Sequence, residues 1–128
     1  MKKVLVAEDN NDNFELIQMI FEEVSLSCKL IRAHTGREVL KLVEEEVPDL
    51  ILMDVVMPDM DGIEATRMLR KKFSRKNLPI IALTAQAMAG DREVVLDAGC
   101  DEYLSKPFSI AELIKKVSHY LGADAPTG

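Results

Sequence analysis

The chain has 128 residues, of which 48% are hydrophobic and 5% aromatic, and its formal net charge is −6 at pH 7. This length and composition fit one domain with a hydrophobic core and exclude a mainly disordered chain. The acidic balance argues against a nucleic-acid-binding surface, and no apolar run is long enough to span a membrane or resembles a signal peptide, so we expect a cytoplasmic protein. Cys28 and Cys100 lack the spacing of a metal site and are predicted to be structural thiols.

Short apolar runs alternate along the chain with stretches whose apolar residues have helical spacing. Strands are predicted at residues 4–7, 29–33, 49–54, 79–84 and 101–105. Helices are predicted at residues 14–24, 36–46, 62–73, 89–98 and 110–121. Strict alternation predicts an α/β domain in which helices cover both faces of a parallel sheet. We expect this domain to occupy residues 1–121, and residues 122–128 to form a flexible tail or the start of a linker.

Polar residues stand at the ends of four of the predicted strands. Glu8 and Asp9 follow the first strand, and Asp54 ends the third. Thr84 ends the fourth strand, and Lys106 follows the fifth. Because ligands of open parallel sheets bind at the carboxyl ends of the strands, we expect these side chains to converge at one edge of the sheet.

The residue types at this edge predict phosphoryl-transfer chemistry. Three neighbouring carboxylates repel one another unless a cation lies between them, and oxygen ligands without a Cys/His cluster favour Mg²⁺ over Zn²⁺. Lys106 offers a positive charge for a phosphoryl oxygen, and the Thr84 hydroxyl offers a hydrogen bond. A carboxylate nucleophile, a metal, a lysine and a hydroxyl together form a phosphoryl-transfer site.

Five segments resemble motifs of the receiver domain of bacterial two-component response regulators. They are residues 4–10 (VLVAEDN), 49–54 (DLILMD), 57–62 (MPDMDG), 81–85 (IALTA) and 103–108 (YLSKPF). The resemblance covers residues 2–121. It implies the flavodoxin-like receiver fold, in which five helices flank a five-stranded parallel sheet of strand order 2-1-3-4-5.

The resemblance also implies the roles of the acidic residues. Asp54 is expected to be the phosphoacceptor. Asp9, Asp54 and the backbone carbonyl of Val56 are expected to bind Mg²⁺ directly, and Glu8 largely through water. Mg²⁺ is therefore the expected cofactor.

Further roles follow from the same resemblance. Lys106 is expected to contact the phosphoryl group, and Thr84 to reorient toward it. Tyr103 resembles the aromatic residue that turns inward when the threonine moves. The peptide bond between Lys106 and Pro107 is expected to be cis, which is uncommon even before proline.

The function implied by the resemblance is signalling rather than metabolic catalysis. The chain would take a phosphoryl group from a histidine kinase or a histidine phosphotransfer protein. It would then change its contacts with a downstream protein through the face formed by helix 4, strand 5 and helix 5. It would catalyse only its own phosphorylation and dephosphorylation, and we expect a monomer, with dimerisation of the phosphorylated form left open.

Three alternatives remain beside a stand-alone receiver. The chain could be the receiver segment of a larger hybrid kinase. A Mg²⁺-dependent aspartyl phosphohydrolase would commonly carry a second aspartate two residues after the nucleophile, where this chain has Val56. A flavin-binding module would need a Ser/Thr/Gly-rich phosphate loop after the first strand, where Glu8 and Asp9 would repel a phosphate.

Other charged residues are predicted to be structural. The basic run that ends the third helix is expected to be solvated: Arg70, Lys71, Lys72, Arg75 and Lys76. Asp12 and Asn13 are expected to cap the first helix, and Asp59 and Asp61 to serve the turn before Gly62 rather than the metal.

Overall fold

The computed structural model describes residues 2–23, 28–84, 89–106 and 109–121, with the backbone alone for residues 89–91. Its strands are β1 (Lys2–Ala7), β2 (Cys28–Ala33), β3 (Leu50–Asp54), β4 (Ile80–Thr84) and β5 (Glu102–Ser105). Its helices are α1 (Asn11–Glu23), α2 (Gly36–Glu45), α3 (Gly62–Arg70), α4 (Ala89–Ala98) and α5 (Ile110–Leu121). Within these ranges, every helix falls short of the length and hydropathy that a membrane span needs. The predicted tail, residues 122–128, lies outside the described residues.

The sheet has the strand order β2-β1-β3-β4-β5, and every neighbouring pair of strands is parallel. β1, β3 and β4 form the centre, and all residues of β3 and β4 are buried. β2 lies at one edge, where most of its residues are only partly buried. The predicted strand order is confirmed, and burial on both faces explains why the central strands are continuous apolar runs in the sequence.

Each face of the sheet carries its own hydrophobic core, because successive side chains of a strand point to opposite faces. On one face, Ile51 belongs to a cluster that includes Val39 of α2 and residues of α3 and α4. On the other face, Leu52 belongs to a cluster that includes Ile17 of α1 and Leu113 of α5. With both faces covered, the carboxyl ends of the strands are the place where polar side chains can gather.

The N-terminus of α1 is capped by Asn10. Its side-chain Oδ1 accepts a hydrogen bond from the Asn13 N–H at 3.0 Å, and its carbonyl accepts one from the Phe14 N–H at 3.1 Å. The prediction that Asp12 and Asn13 cap this helix is wrong, since both lie inside its first turn. The cap holds the segment between β1 and α1 in place.

Arg70 ends α3 and joins it to the loop before β5. Its Nε donates to the Gly99 carbonyl at 2.8 Å, and its Nη1 donates to the carbonyls of Leu78 at 2.7 Å and Ser74 at 3.1 Å. Its Nη2 pairs with Asp101 at 2.9 Å, and the Arg70 side chain is only 14% exposed. The prediction that Arg70 is solvated is wrong. The helix stops here rather than at residue 73, and the carbonyls of the following turn take their donors from this guanidinium.

Arg75 holds the C-terminal end of α4. Its Nη2 donates to the Leu96 carbonyl at 3.0 Å, and its Nη1 donates to the Cys100 carbonyl at 2.7 Å. The Leu96 carbonyl also accepts from the Gly99 N–H at 3.1 Å, and Cys100 lies just beyond the helix, so Arg75 adds a side-chain donor from the segment between α3 and β4 to this helix end. The lysines of the same basic run are exposed, as predicted: Lys71, Lys72 and Lys76.

Replacing Arg70 with Met is expected to lower the free energy of unfolding by roughly 2–4 kcal/mol, because it removes the positive partner of the Asp101 carboxylate and a donor to three carbonyls. Urea denaturation measures this change. Lys71→Met removes one charge at an exposed position and serves as the control, with an expected change within about 0.5 kcal/mol. Equal denaturation midpoints for the two variants would contradict the structural role of Arg70.

Two glycines allow the loop between β3 and α3 to pack closely against its neighbours, because a side chain at either position would clash with backbone atoms. A Cβ at Gly62 would lie 2.2 Å from the Asp54 carbonyl oxygen, and one at Gly36 would lie 2.4 Å from the Met60 carbonyl oxygen. The Gly62 N–H donates to the Val55 carbonyl at 3.0 Å, and the Gly36 N–H donates to the Met60 carbonyl at 2.8 Å. The loop is therefore held between α2 and the carboxyl end of β3.

Candidate functional site

Three carboxylates meet at the carboxyl ends of β1 and β3. One oxygen from each of Glu8, Asp9 and Asp54 lies within 4.8 Å of the others. Glu8 is fully buried, Asp54 is 6% exposed, and Asp9 is exposed. β1 and β3 are neighbours in the sheet, which brings together side chains 45 or more positions apart in the sequence. These three residues converge as the sequence predicts.

Lys106 bridges two of these carboxylates. Its Nζ lies 2.8 Å from Glu8 Oε1 and 3.1 Å from Asp54 Oδ2. Its backbone N–H donates to the Thr84 carbonyl at 2.6 Å, which anchors the residue at the end of β4. The Lys106 side chain is 16% exposed, so the ammonium group acts on the carboxylates with little screening by water.

Burial changes the charge balance of the cluster. It raises the pKa of Glu8, the neighbouring Asp54 adds to the rise and Lys106 opposes it, so that this pKa lies at about 7. Burial lowers the pKa of Lys106, but its contacts with Glu8 and Asp54 outweigh burial and leave this pKa above its ordinary value. One ammonium group therefore does not fully compensate the negative charge, and the cluster retains a proton near neutral pH.

In the absence of divalent ions, Glu8→Gln is expected to stabilise the protein more at pH 8 than at pH 5. A carboxyl group whose pKa rises from 4.5 to about 7 on folding stabilises the folded protein fully below pH 4.5 and loses that contribution as the pH rises through 7. The difference in free energy of unfolding between variant and wild type should grow by on the order of 2 kcal/mol between the two pH values. Urea denaturation in EDTA measures it, and a pH-independent difference would contradict the raised pKa.

The cluster fits a hard divalent cation. Its candidate ligands are all carboxylate oxygens, the donor type that Mg²⁺ prefers, and among the described residues no histidine or cysteine joins the group. A cation would also offset the negative charge of Asp54, which adds to the rise that burial causes in the pKa of Glu8. Glu8, Asp9 and Asp54 are thus the residues that could hold Mg²⁺.

The segment after β3 completes the surroundings of Asp54. The Val56 N–H donates to Asp54 Oδ1 at 3.2 Å, while Lys106 contacts the other oxygen. Both carboxylate oxygens are therefore oriented by a donor. The Val56 side chain is 74% exposed beside the site, and the role of its carbonyl as a metal ligand stays a prediction.

The residues predicted to act as the switch lie on adjacent strands. Thr84 ends β4 and is 6% exposed, and its partner in the register of β5 is Ser105. Tyr103 is half-buried on β5, and its hydroxyl lies 3.3 Å from the Ser105 hydroxyl. The predicted cis bond involves Pro107, which lies outside the described residues.

Sequence reasoning missed two residues that support the acid cluster. The Asn10 N–H donates to Glu8 Oε2 at 3.3 Å. Arg32 on β2 donates from Nε to the Glu8 carbonyl at 3.1 Å. An arginine placed directly between the apolar residues Ile31 and Ala33 of the strand is a signal that could have pointed to the second contact.

The sequence matches the family model of the response regulator receiver domain over residues 4–118. The chain belongs to this family. The receiver is 40% identical to the polar-differentiation response regulator DivK of Brucella ovis over 121 residues, which cover 94% of this chain and 97% of that protein. DivK of Brucella suis matches to the same extent.

Solved receiver structures have the same fold. One is the receiver domain of the sensor histidine kinase PA1611 from Pseudomonas aeruginosa, crystallised with a magnesium ion coordinated in the active site cleft. It superposes with a TM-score of 0.84 at 36% sequence identity, and the match covers 95% of this chain and 98% of that one. The receiver domain of the Francisella response regulator 1452 gives a TM-score of 0.79 at 36% identity, covering 94% and 96%. The predicted family and fold are confirmed.

Proposed function

We propose that this receiver domain accepts a phosphoryl group on Asp54 in a reaction that requires Mg²⁺. The arrangement of Lys106 supports the proposal most, because its ammonium group lies 2.8 Å from Glu8 and 3.1 Å from Asp54 within the three-carboxylate cluster. An aspartate whose two oxygens are oriented by separate donors, beside a candidate cation site, is suited to act as a nucleophile toward phosphorus.

The donor is a phosphohistidine of a histidine kinase or of a histidine phosphotransfer protein. A carboxylate oxygen of Asp54 attacks the phosphorus atom, the phosphorus–nitrogen bond breaks, and the histidine nitrogen leaves with its electron pair. Lys106, already at Asp54 Oδ2, is placed to contact an oxygen of the transferred group. Mg²⁺, when bound, supplies positive charge that offsets the charge on the phosphoryl oxygens.

Each acidic residue has a distinct role in this proposal. Asp9 is exposed and binds the cation directly together with Asp54 and the carbonyl of Val56. Glu8 is fully buried and bonded to Lys106, so it acts on the cation through water. The chain performs chemistry only on itself, by gaining and losing the phosphoryl group.

The output is a change in protein contacts at the face formed by α4, β5 and α5. Thr84 and Tyr103 are the residues proposed to connect the acid cluster to this face, and they are supported by their places: Thr84 ends β4, and Tyr103 lies opposite Ala82 on the neighbouring strand β5. Glu102 of β5 is joined to α5 through Lys116 at 3.0 Å and through the Tyr120 hydroxyl at 3.4 Å. Movement of β5 is thus passed on to α5.

A stand-alone regulator and a segment of a hybrid kinase both agree with this proposal. Similarity to DivK, matched over 97% of its length, favours the first. Similarity to the receiver domain of the sensor histidine kinase PA1611 favours the second. The phosphoryl chemistry is the same in both.

Thr84→Ala is expected to leave Asp54 able to accept a phosphoryl group but to weaken the response of β5. Losing one hydrogen bond to the phosphoryl group, worth about 1 kcal/mol, lowers the ratio of active to inactive conformers about fivefold. Chemical shifts of Tyr103 and its neighbours on addition of beryllofluoride measure the response, and Thr84→Ser, which keeps the hydroxyl, is the matched control. Equal responses in wild type and Thr84→Ala would contradict the switch role.

Intact mass after incubation with a small phosphodonor tests the proposed function. One added phosphoryl group is expected in Mg²⁺ and none in EDTA. If the adduct hydrolyses before detection, binding of beryllofluoride in Mg²⁺ reports the same site. Phosphorylation that is equal in EDTA, or failure to bind either reagent, would overturn the proposal.

A further inference from the structure

Arg32 touches the acid cluster from a strand that contributes none of its carboxylates. It lies on the edge strand β2, and its Nε donates to the Glu8 carbonyl at 3.1 Å. The Glu8 N–H in turn donates to the Ala33 carbonyl at 3.0 Å. Both backbone polar groups of Glu8 are therefore bonded to β2.

The Glu8 carbonyl also orients Asp9. A peptide group is planar, so the direction of the Glu8 carbonyl determines where the Asp9 N–H and Cα lie. Asp9 is exposed, so little packing holds its side chain, and the hydrogen bond from Arg32 to the Glu8 carbonyl restrains the backbone from which that side chain projects.

The guanidinium of Arg32 is itself held in place by α1. Its Cζ lies 4.8 Å from the centre of the Phe14 ring, within the range of a cation–π contact. Arg32 thereby ties the end of β1 to β2 and to the first turn of α1, directly beside the acid cluster.

Arg32 differs in its bonding from an arginine that serves stability alone. Arg70 uses all three of its nitrogens, in contacts with three carbonyls and a carboxylate. In Arg32, Nη2 is buried without a hydrogen-bond partner in the described part of the chain, and Nε makes the bond to Glu8. A buried donor without a partner costs free energy, so the guanidinium is placed for its contact with Glu8 rather than for complete pairing.

We propose that Arg32 is a positioning residue for the divalent-cation site, acting through the Glu8 carbonyl to orient Asp9 and Glu8. The proposal rests on the proposed function, in which these carboxylates hold Mg²⁺. Groups that orient metal ligands without touching the metal commonly change metal affinity by about 10- to 100-fold when they are removed.

Isothermal titration calorimetry with Mg²⁺ tests the proposal on the unphosphorylated protein. Arg32→Met is expected to raise the dissociation constant about tenfold. Arg32→Lys keeps the positive charge but places a methylene carbon where Nε donates to the Glu8 carbonyl, so it is expected to recover little of the affinity. Lys29→Met removes the same charge from an exposed position on the same strand, and is expected to leave the dissociation constant unchanged.

A measurement on the wild type avoids any loss of folding in the variants. The Nε–H resonance of Arg32 is expected to shift during a Mg²⁺ titration and to saturate with the same dissociation constant as calorimetry gives. A resonance that does not respond, or an Arg32→Met variant that is folded and binds Mg²⁺ as tightly as wild type, would overturn the positioning role alone. A wild type that binds no Mg²⁺ would overturn the positioning role together with the proposed function.

Discussion

Asp54→Asn is expected to abolish incorporation of an acid-labile phosphoryl group. The amide has nearly the shape of the carboxylate but is neutral, so it loses the nucleophilic oxygen and its pairing with Lys106 at 3.1 Å. Glu8 does not replace it, because Glu8 is fully buried and bonded to the same ammonium group. Intact mass after incubation with the phosphodonor in Mg²⁺ measures incorporation.

Asp59→Asn is the matched control for this experiment. Asp59 lies in the loop after β3, its side chain is 50% exposed, and it pairs with Arg37 at 3.0 Å rather than with the acid cluster. The control is expected to incorporate one phosphoryl group, as wild type does. Incorporation that persists in Asp54→Asn would disprove the site assignment.

Lys106→Met is expected to lower the free energy of unfolding by roughly 2–4 kcal/mol at pH 8 in EDTA. The substitution leaves two carboxylates, with side chains 1% and 8% exposed, without their positive partner. Part of the loss should be recovered at pH 5, where Glu8 is protonated, and part by Mg²⁺, which binds the folded protein. Urea denaturation under the three conditions measures these changes.

The control for Lys106→Met is Lys116→Met. Lys116 pairs with Glu102 at 3.0 Å, but these side chains are 29% and 36% exposed, so the expected change is below about 1 kcal/mol and independent of Mg²⁺. If Lys106→Met changed stability no more than this control, the buried pairing would not stabilise the fold as argued.

The sequence allowed the fold to be predicted because its signals are local. Apolar periodicity located every strand and helix within a few residues, and α4 and α5 have the predicted bounds. Asp61 serves the turn before α3, as predicted, and accepts a hydrogen bond from the Glu64 N–H at 2.8 Å. The acid cluster followed from topology, because parallel strands bring their carboxyl ends to one edge.

The missed features are bonds from arginines to backbone carbonyls. Arg70, Arg75 and Arg32 each bind carbonyls at least four positions away, and most partners are more than 20 positions away. Every residue has the same backbone carbonyl group, whatever its side chain, so the sequence does not indicate which carbonyl will accept such a bond. A basic residue near a helix end is equally compatible with solvent, which is why solvation was predicted for Arg70.

The hydrogen bonds from Arg75 anchor the C-terminal end of α4 to the segment between α3 and β4. The ten residues of the helix span about 15 Å at 1.5 Å per residue, so a rotation of about 10° around the anchored end would displace the opposite end by about 2–3 Å. The displaced end is the one that follows Thr84 in the chain. A rotation of α4 about its C-terminal end would therefore displace most the end that joins the segment after Thr84.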